Sequence, residues 1–465
     1  MSKGGPCSSS SSSTVTTTIP VFSPQGNRIA AVVDKTNIVV RDVETLSVVS
    51  FITCVDSPKY IEWSRDGSYI LACMPQRSSV SVFHVHGRQD GGNEVTLTEN
   101  LAGVTFATWS PWNTVALVVC DFGSRMLAWD VSSADEENNT TVLACPSIAS
   151  LDGVCASPDG RILAVLTRTA CKDGITLYSI GRTSAVHEWD VIGNIELGTM
   201  NAAGMSWSPD SKSIAVWDAV YAGPRVVVVS VEGEMGHILM DKAWESACGL
   251  GVRIVKWSPS GGVLAIGTYD EDVVMMNTVT WKDIEVTLHH GMVLDEQKYG
   301  DMLEVFTEVQ LDDDSDLTKY TDEVSMPVKL PALAKPHVKE IMPPVGTEKL
   351  LWSDTGRYIV TICQERPHIA WIWDVTRMAL DTVLMHKNPI RDVAWRPGGS
   401  DTLYMVCGNK NVYVWADGAS SCVNTCIEDD KFRGHALQWA PHGHVLHACG
   451  RESYSLGFFN ELAHK

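Results

Sequence analysis

Short apolar runs of four to six residues punctuate the chain at a nearly regular interval. They lie at residues 29–33, 69–74, 115–120, 162–166, 214–217, 263–266, 358–363, 403–407 and 445–449. Each is rich in β-branched and aromatic types and is bounded by turn residues. That pattern predicts buried strands, because a helix needs a longer stripe of 3.6-residue period. A second, more alternating run follows each. In seven copies it closes on a bulky residue 19 to 22 positions after the aromatic or its stand-in that opens the unit: Phe83, Trp129, Tyr178, Met276, Trp373, Trp415 and Phe459.

The opening element is itself a repeat: an aromatic, then Ser or a stand-in, then Pro or Asp, then a turn. It occurs at Phe22-Ser23-Pro24, Trp63-Ser64, Trp109-Ser110-Pro111, Ala156-Ser157-Pro158, Trp207-Ser208-Pro209, Trp257-Ser258-Pro259, Trp352-Ser353-Asp354, Trp395-Arg396-Pro397 and Trp439-Ala440-Pro441. First-position spacings are 41, 46, 47, 51, 50, 95, 43 and 44 residues. Self-similarity at this period is the signature of a WD-repeat β-propeller blade. One such tripeptide is ordinary turn chemistry, with Pro presetting φ and Asp or Gly tolerating the next position; nine in register are a fold. The aromatics Phe22, Trp63, Trp109, Trp207, Trp257, Trp352, Trp395 and Trp439 are expected to be structural anchors packed between adjacent sheets, where a flat ring buries a large apolar area.

Nine anchors predict an all-β propeller of about nine blades, with seven or eight blades or two rings as alternatives. The expected organisation is a disordered Ser-rich start (1–13), blades one to six (14–288), an acidic and Pro-rich insertion (289–345), and blades seven to nine (346–461). The insertion fills the 95-residue gap between Trp257 and Trp352 and is expected to be largely irregular. Deleting it is expected to leave the ring folded. The last unit offers three strands, so residues 10–19 are expected to pair with it and close the ring, which removes open sheet edges.

The formal charge is −20, from 36 basic and 56 acidic residues. That argues against direct nucleic-acid binding, which needs a basic footprint. Part of the excess is local, in residues 295–323, and Asp312, Asp313, Asp314 and Asp316 there are candidate docking residues for a basic partner; the ordinary alternative is a solvated loop. Thirteen scattered cysteines, several inside apolar runs, suit a reduced, cytosolic protein. No run of 18 apolar residues occurs, so no membrane span is expected, and residues 1–13 lack the apolar core of a secretory signal.

Catalytic chemistry is sparse. No phosphate-binding loop or nucleophile elbow is present, and Gly249-Leu250-Gly251 lacks the third glycine of a dinucleotide motif. Cys422 and Cys426 have no second pair, and His442, His444 and His447 are better explained as turn and strand residues than as ligands. Gly434-His435 and Asp270 read as blade-stabilising hydrogen-bond residues. No enzyme activity, cofactor or metal is expected.

Several stretches resemble the centrosomal and spindle-pole WD-repeat protein eight family, also described as the WD-repeat protein encoded antisense to a p53-like gene. They are Val39-Val40-Arg41-Asp42-Val43-Glu44-Thr45-Leu46, Ile61-Glu62-Trp63-Ser64, Cys171-Lys172-Asp173, Ala215-Val216-Trp217-Asp218, Val255-Lys256-Trp257-Ser258-Pro259-Ser260, Val279-Thr280-Trp281-Lys282, Pro327-Val328 and Ala370-Trp371-Ile372-Trp373-Asp374. The resemblance covers roughly residues 20–460. It implies a non-enzymatic adaptor at centrosomes, spindle poles or ciliary basal bodies that helps anchor microtubule minus ends. The implied partners are a coiled-coil microtubule-anchoring protein, a minus-end-directed kinesin and γ-tubulin complex components. The contrasting expectation is a translation-initiation or ribosome-associated propeller, suggested by the nine-fold count.

Overall fold

The structure is a computed structural model. It describes residues 19–85, 94–98, 103–111, 114–120, 125–132, 139–143, 152–180, 189–233, 235–244, 250–284, 288–291, 293–294, 303–310, 318–322, 327–330, 346–416, 419–424, 432–450 and 454–458. Among these, regular structure is strand, apart from the single 3-10 turns Pro75–Arg77 and Val220–Ala222. The chain forms two compact units, Thr16–Trp257 and Ser258–Lys465.

In the first unit each of the first five motif copies belongs to a four-stranded antiparallel meander. The strands are β1 (Val21–Phe22), β2 (Arg28–Val33), β3 (Asn37–Asp42) and β4 (Val48–Thr53); β5 (Tyr60–Trp63), β6 (Tyr69–Met74), β7 (Ser79–His84) and β8 (Glu94–Thr98); β9 (Val104–Trp109), β10 (Val115–Cys120), β11 (Arg125–Asp130) and β12 (Thr140–Leu143). Two more sheets follow: β13 (Val154–Ala156), β14 (Ile162–Thr169), β15 (Lys172–Ser179) and β16 (Val191–Glu196); β17 (Ala202–Trp207), β18 (Ser213–Asp218), β19 (Arg225–Ser230) and β20 (Ile238–Ala243). β21 (Val252–Trp257) is the last strand of this unit and ends on an anchor.

The second unit begins with β22 (Val263–Thr268), β23 (Asp272–Asn277), β24 (Lys282–Asp283) and β25 (Leu288–His289), the last two pairing with β23. Then come β26 (Val293–Leu294), β27 (Glu304–Gln310), β28 (Thr318–Asp322) and β29 (Val328–Lys329). The remaining blades are β30 (Thr347–Trp352), β31 (Tyr358–Cys363), β32 (Ile369–Asp374) and β33 (Ala379–Met385); β34 (Asp392–Trp395), β35 (Thr402–Val406), β36 (Asn411–Ala416) and β37 (Ala419–Asn424); β38 (Ala436–Trp439), β39 (Val445–Cys449) and β40 (Tyr454–Phe458). The nine expected blades are therefore present among the described residues.

The second strand of each blade carries the apolar run, and its two faces enter different cores. In β6, Ile70, Ala72 and Met74 pack with Ala30, Val32, Ile38 and Val40 of the first blade. Leu71 and Cys73, on the opposite face, pack with Ala116, Val118 and Trp129 of the third blade. Burial on both faces explains why these runs read as continuous rather than alternating, and each blade is stabilised by its neighbours rather than by a central core.

Part of the stretch expected to be irregular is regular. β27 adds to the outer edge of β33 in parallel, with Val305 opposite Val383 and Phe306 opposite Leu384. β28 then caps it antiparallel, giving a six-stranded sheet. The reason is local: Glu304–Gln310 reads Glu-Val-Phe-Thr-Glu-Val-Gln, and Phe306 enters the core beside Tyr358, Ile372 and Tyr413. The last blade shows three strands. Residues 10–18, expected to supply the fourth, lie outside the described residues, and Ile19 is exposed.

Candidate docking surface

Five of the anchors share one geometry, in which the indole N–H donates to the backbone carbonyl just ahead of the preceding blade's anchor position. Trp63 reaches Val21 O at 3.0 Å, Trp109 reaches Glu62 O at 3.2 Å, Trp207 reaches Cys155 O at 3.1 Å, Trp257 reaches Ser206 O at 3.2 Å and Trp395 reaches Leu351 O at 3.1 Å. Phe22, without a donor, is simply buried. Trp352 is half-buried and Trp439 is buried.

The serine after the anchor organises the turn, a role that sequence reasoning gave to Pro and to Asp or Gly. In six copies its hydroxyl accepts the amide N–H five residues on: Arg28 to Ser23, Tyr69 to Ser64, Ile162 to Ser157, Ser213 to Ser208, Val263 to Ser258 and Tyr358 to Ser353. The same hydroxyl donates to Asp66, Asp159 and Asp210 in three of them. The residue three beyond the serine has positive φ, as at Gly67 (72°) and Gly160 (73°), which glycine adopts without strain. The signal in the sequence is the constant placement of the serine directly after the anchor.

These turns leave an open groove of about 440 Å3 in the second unit. Pro259, Leu351, Trp352, Trp395, Arg396 and Trp439 line it. Its rim is fixed: the Asp354 carboxylate accepts the amides of Gly398 and Gly399, both at 3.0 Å. The Arg396 guanidinium lies 5.8 Å over the Trp439 ring and donates to Gly443 O at 3.0 Å. A concave surface of aromatic rings with one cation suits a side chain of a protein partner.

A second feature is an exposed methionine on a braced loop. Met200 is 65% exposed. The buried Asp218 carboxylate accepts the amides of Met200 (3.0 Å) and Asn201 (2.9 Å). Arg168 donates to Met200 O at 2.6 Å, and Arg225 donates to Gly198 O.

Three polar clusters inside the blades escaped sequence reasoning, because nothing local in the sequence links each group to its partner. Glu62, on β5, accepts from Thr108 Oγ1 at 3.2 Å and Trp109 N at 3.3 Å, and burial pushes its pKa up to about 7. Glu308, on β27, accepts the Tyr413 hydroxyl at 2.5 Å and the Lys387 amide at 2.8 Å. Burial holds the neighbouring His386 neutral, with its pKa lowered to about 3. Arg366 pairs with Glu271 at 3.2 Å, and burial beside Glu365 raises the Glu271 pKa.

The remaining candidates do not converge. Asp312, Asp313, Asp314 and Asp316 lie outside the described residues, as does Cys426. His442 and His444 stack at 5.2 Å in a turn, while His447 is buried on β39 with its pKa lowered to about 3. Among the described residues no group of three or more His, Cys, Asp or Glu could hold a metal ion. Gly434 and His435 form a strand lead-in, His435 N donating to Cys449 O at 2.7 Å. Asp270 occupies the β22–β23 turn, where its amide donates to Thr268 Oγ1 at 3.2 Å. No helix of the described residues is long and apolar enough to cross a membrane.

Repeat, blade and inter-blade stitch together define a WD-repeat β-propeller protein. No family model matches the chain. The mouse (Mus musculus) WD repeat-containing protein WRAP73 is 27% identical over 456 residues, covering 94% of this chain and 92% of its own length. That likeness, running through nearly all of both chains, is consistent with membership of the WD-repeat protein eight family and bears out the resemblance read from the residues. An uncharacterised WD repeat-containing protein of Schizosaccharomyces pombe is 22% identical over 372 residues, covering 76% of this chain and 71% of its own. Among solved structures, Chaetomium thermophilum Sqt1 bound to the N-terminus of ribosomal protein L10 has a TM-score of 0.50 at 12% identity, covering 96% of this chain and 97% of that one, a likeness of fold alone.

Proposed function

We propose that the protein is a non-catalytic scaffold of the centrosome, spindle pole or ciliary basal body that helps anchor microtubule minus ends. The observation that carries this reading is the near full-length likeness to WRAP73. In this reading the anchor tryptophans hold the blades, and the groove at Trp395 and Trp439 and the loop at Met200 present fixed contacts to protein partners. The partner class is a coiled-coil microtubule-anchoring protein, with a minus-end kinesin or γ-tubulin complex components in the same assembly. Asp312, Asp313, Asp314 and Asp316 offer charge to a basic segment of such a partner.

The test is the position of a tagged full-length copy in dividing and ciliated cells. Foci at spindle poles or basal bodies support the reading. Diffuse signal together with co-sedimentation on ribosomal subunits would replace it with the ribosome-associated alternative. Removing 289–345 is not the right probe of docking, since it takes Phe306 and Glu308 out of a packed blade.

A further inference from the structure

Among the described residues the outer strand of the first blade is an open, uncharged and largely apolar edge. β4 reads Val-Val-Ser-Phe-Ile-Thr, without charge or proline. Val48, Val49 and Phe51 are 54%, 38% and 62% exposed, and Val55 just beyond is 68% exposed. No described strand pairs with its outer side. Native edges are normally blunted by charge, as Asp241 and Lys242 do on β20 and Glu196 does on β16. The direction of the free donors follows from the ladder. Cys54 N donates to Thr36 O at 2.8 Å, and alternate residues of an antiparallel strand donate to the same side. The amides of Ile52 and Ser50 therefore face β3, and those of Phe51 and Thr53 face outward.

The molecule itself shows what such an edge accepts. On the seventh blade the equivalent outer edge, β33, is filled by β27, an extended parallel segment with Val305 and Phe306 set against Val383 and Leu384. We infer that the outer edge of β4 is a strand-addition site for an extended segment of a partner protein, with β-branched or aromatic residues at alternate positions and Lys or Arg flanks. Main-chain hydrogen bonds to Phe51 and Thr53 give affinity, and the apolar side chains of Val49 and Phe51 select register. The basic flanks follow from the chain's net charge of −20, which favours a cationic partner and disfavours a second copy. This inference rests on the scaffold reading, but its test does not.

The test is hydrogen exchange on the full-length protein with a synthetic peptide of alternating Val, Thr and Phe between pairs of lysines. The peptide is expected to slow exchange at Phe51 and Thr53 by about tenfold or more, leaving the other blades unchanged. The same peptide N-methylated on one edge is expected to give no protection. Val49→Lys with Phe51→Lys, both at exposed positions that leave the core intact, should abolish the effect without lowering the melting temperature. Exchange at β4 unaltered by the peptide would overturn the inference. So would dimers of the wild-type chain that the lysine variant dissolves, which would assign the edge to self-pairing. Neither outcome touches the localisation test of the scaffold reading.

Discussion

A carboxylate between two inner strands sets the local pH response. Glu62 has an ordinary value of 4.5 and is held at about 7 by burial. Its folded-state pKa is raised, so the stability of the protonated form is fully present below about pH 4.5 and is lost as pH rises through 7. The displacement corresponds to at most about 3 kcal/mol. Glu62→Gln retains a partner for Trp109 N and Thr108 Oγ1 and carries no charge. The variant is expected to melt with the wild type at about pH 4.5 and above it at about pH 8; equal melting temperatures at both would reject the assignment. The indole stitch is tested in the same way. Trp207→Phe keeps a ring but removes the indole donor to Cys155 O, a loss of about 1 kcal/mol, whereas Trp207→Ala should cost about 3–5 kcal/mol in denaturant unfolding.

At the level of the strand, β27 is the element whose removal discriminates a blade component from a surface loop. Phe306 is 8% exposed and Glu308 4%. Phe306→Ala should destabilise by about 3–5 kcal/mol through the cavity it leaves. Glu308→Ala removes the acceptor of the buried Tyr413 hydroxyl, at about 1–3 kcal/mol, while the amide of the exposed Lys387 can turn to water at little cost. Faster amide exchange confined to β33 and β36 is the expected signature; exchange like that of the wild type would return β27 to the status of a loop. The blades were legible because each repeats an anchor, a turn and a two-faced apolar run within one period. β27 was not, because it lies in the gap without an anchor and pairs in parallel, a partnership set by β33 far along the chain. The polar groups Glu62 and Glu308 were illegible for a related reason: their partners, Thr108 and Tyr413, lie on neighbouring blades, and no local pattern connects them.

For the molecule as a whole, charge decides which partners approach. A net charge of −20 repels polyanions and raises the encounter rate with cationic surfaces, an effect that salt screens over about 8 Å at physiological ionic strength. If Asp312, Asp313, Asp314 and Asp316 of the acidic run at 295–323 steer a basic segment onto the scaffold, their contribution must lie mainly in the association rate, because long-range charge attraction speeds encounter more than it prolongs a complex. Changing Asp312, Asp313, Asp314 and Asp316 together to asparagine preserves side-chain size and removes four negative charges. With a purified microtubule-anchoring partner, association is expected to slow by about tenfold at low salt and to lose part of its salt dependence, with dissociation nearly unchanged. Melting should be unaffected, which separates steering from folding. An association rate and salt slope identical to the wild type would remove the acidic run from the docking surface and leave recognition to the aromatic groove, where Arg396→Ala should instead accelerate dissociation.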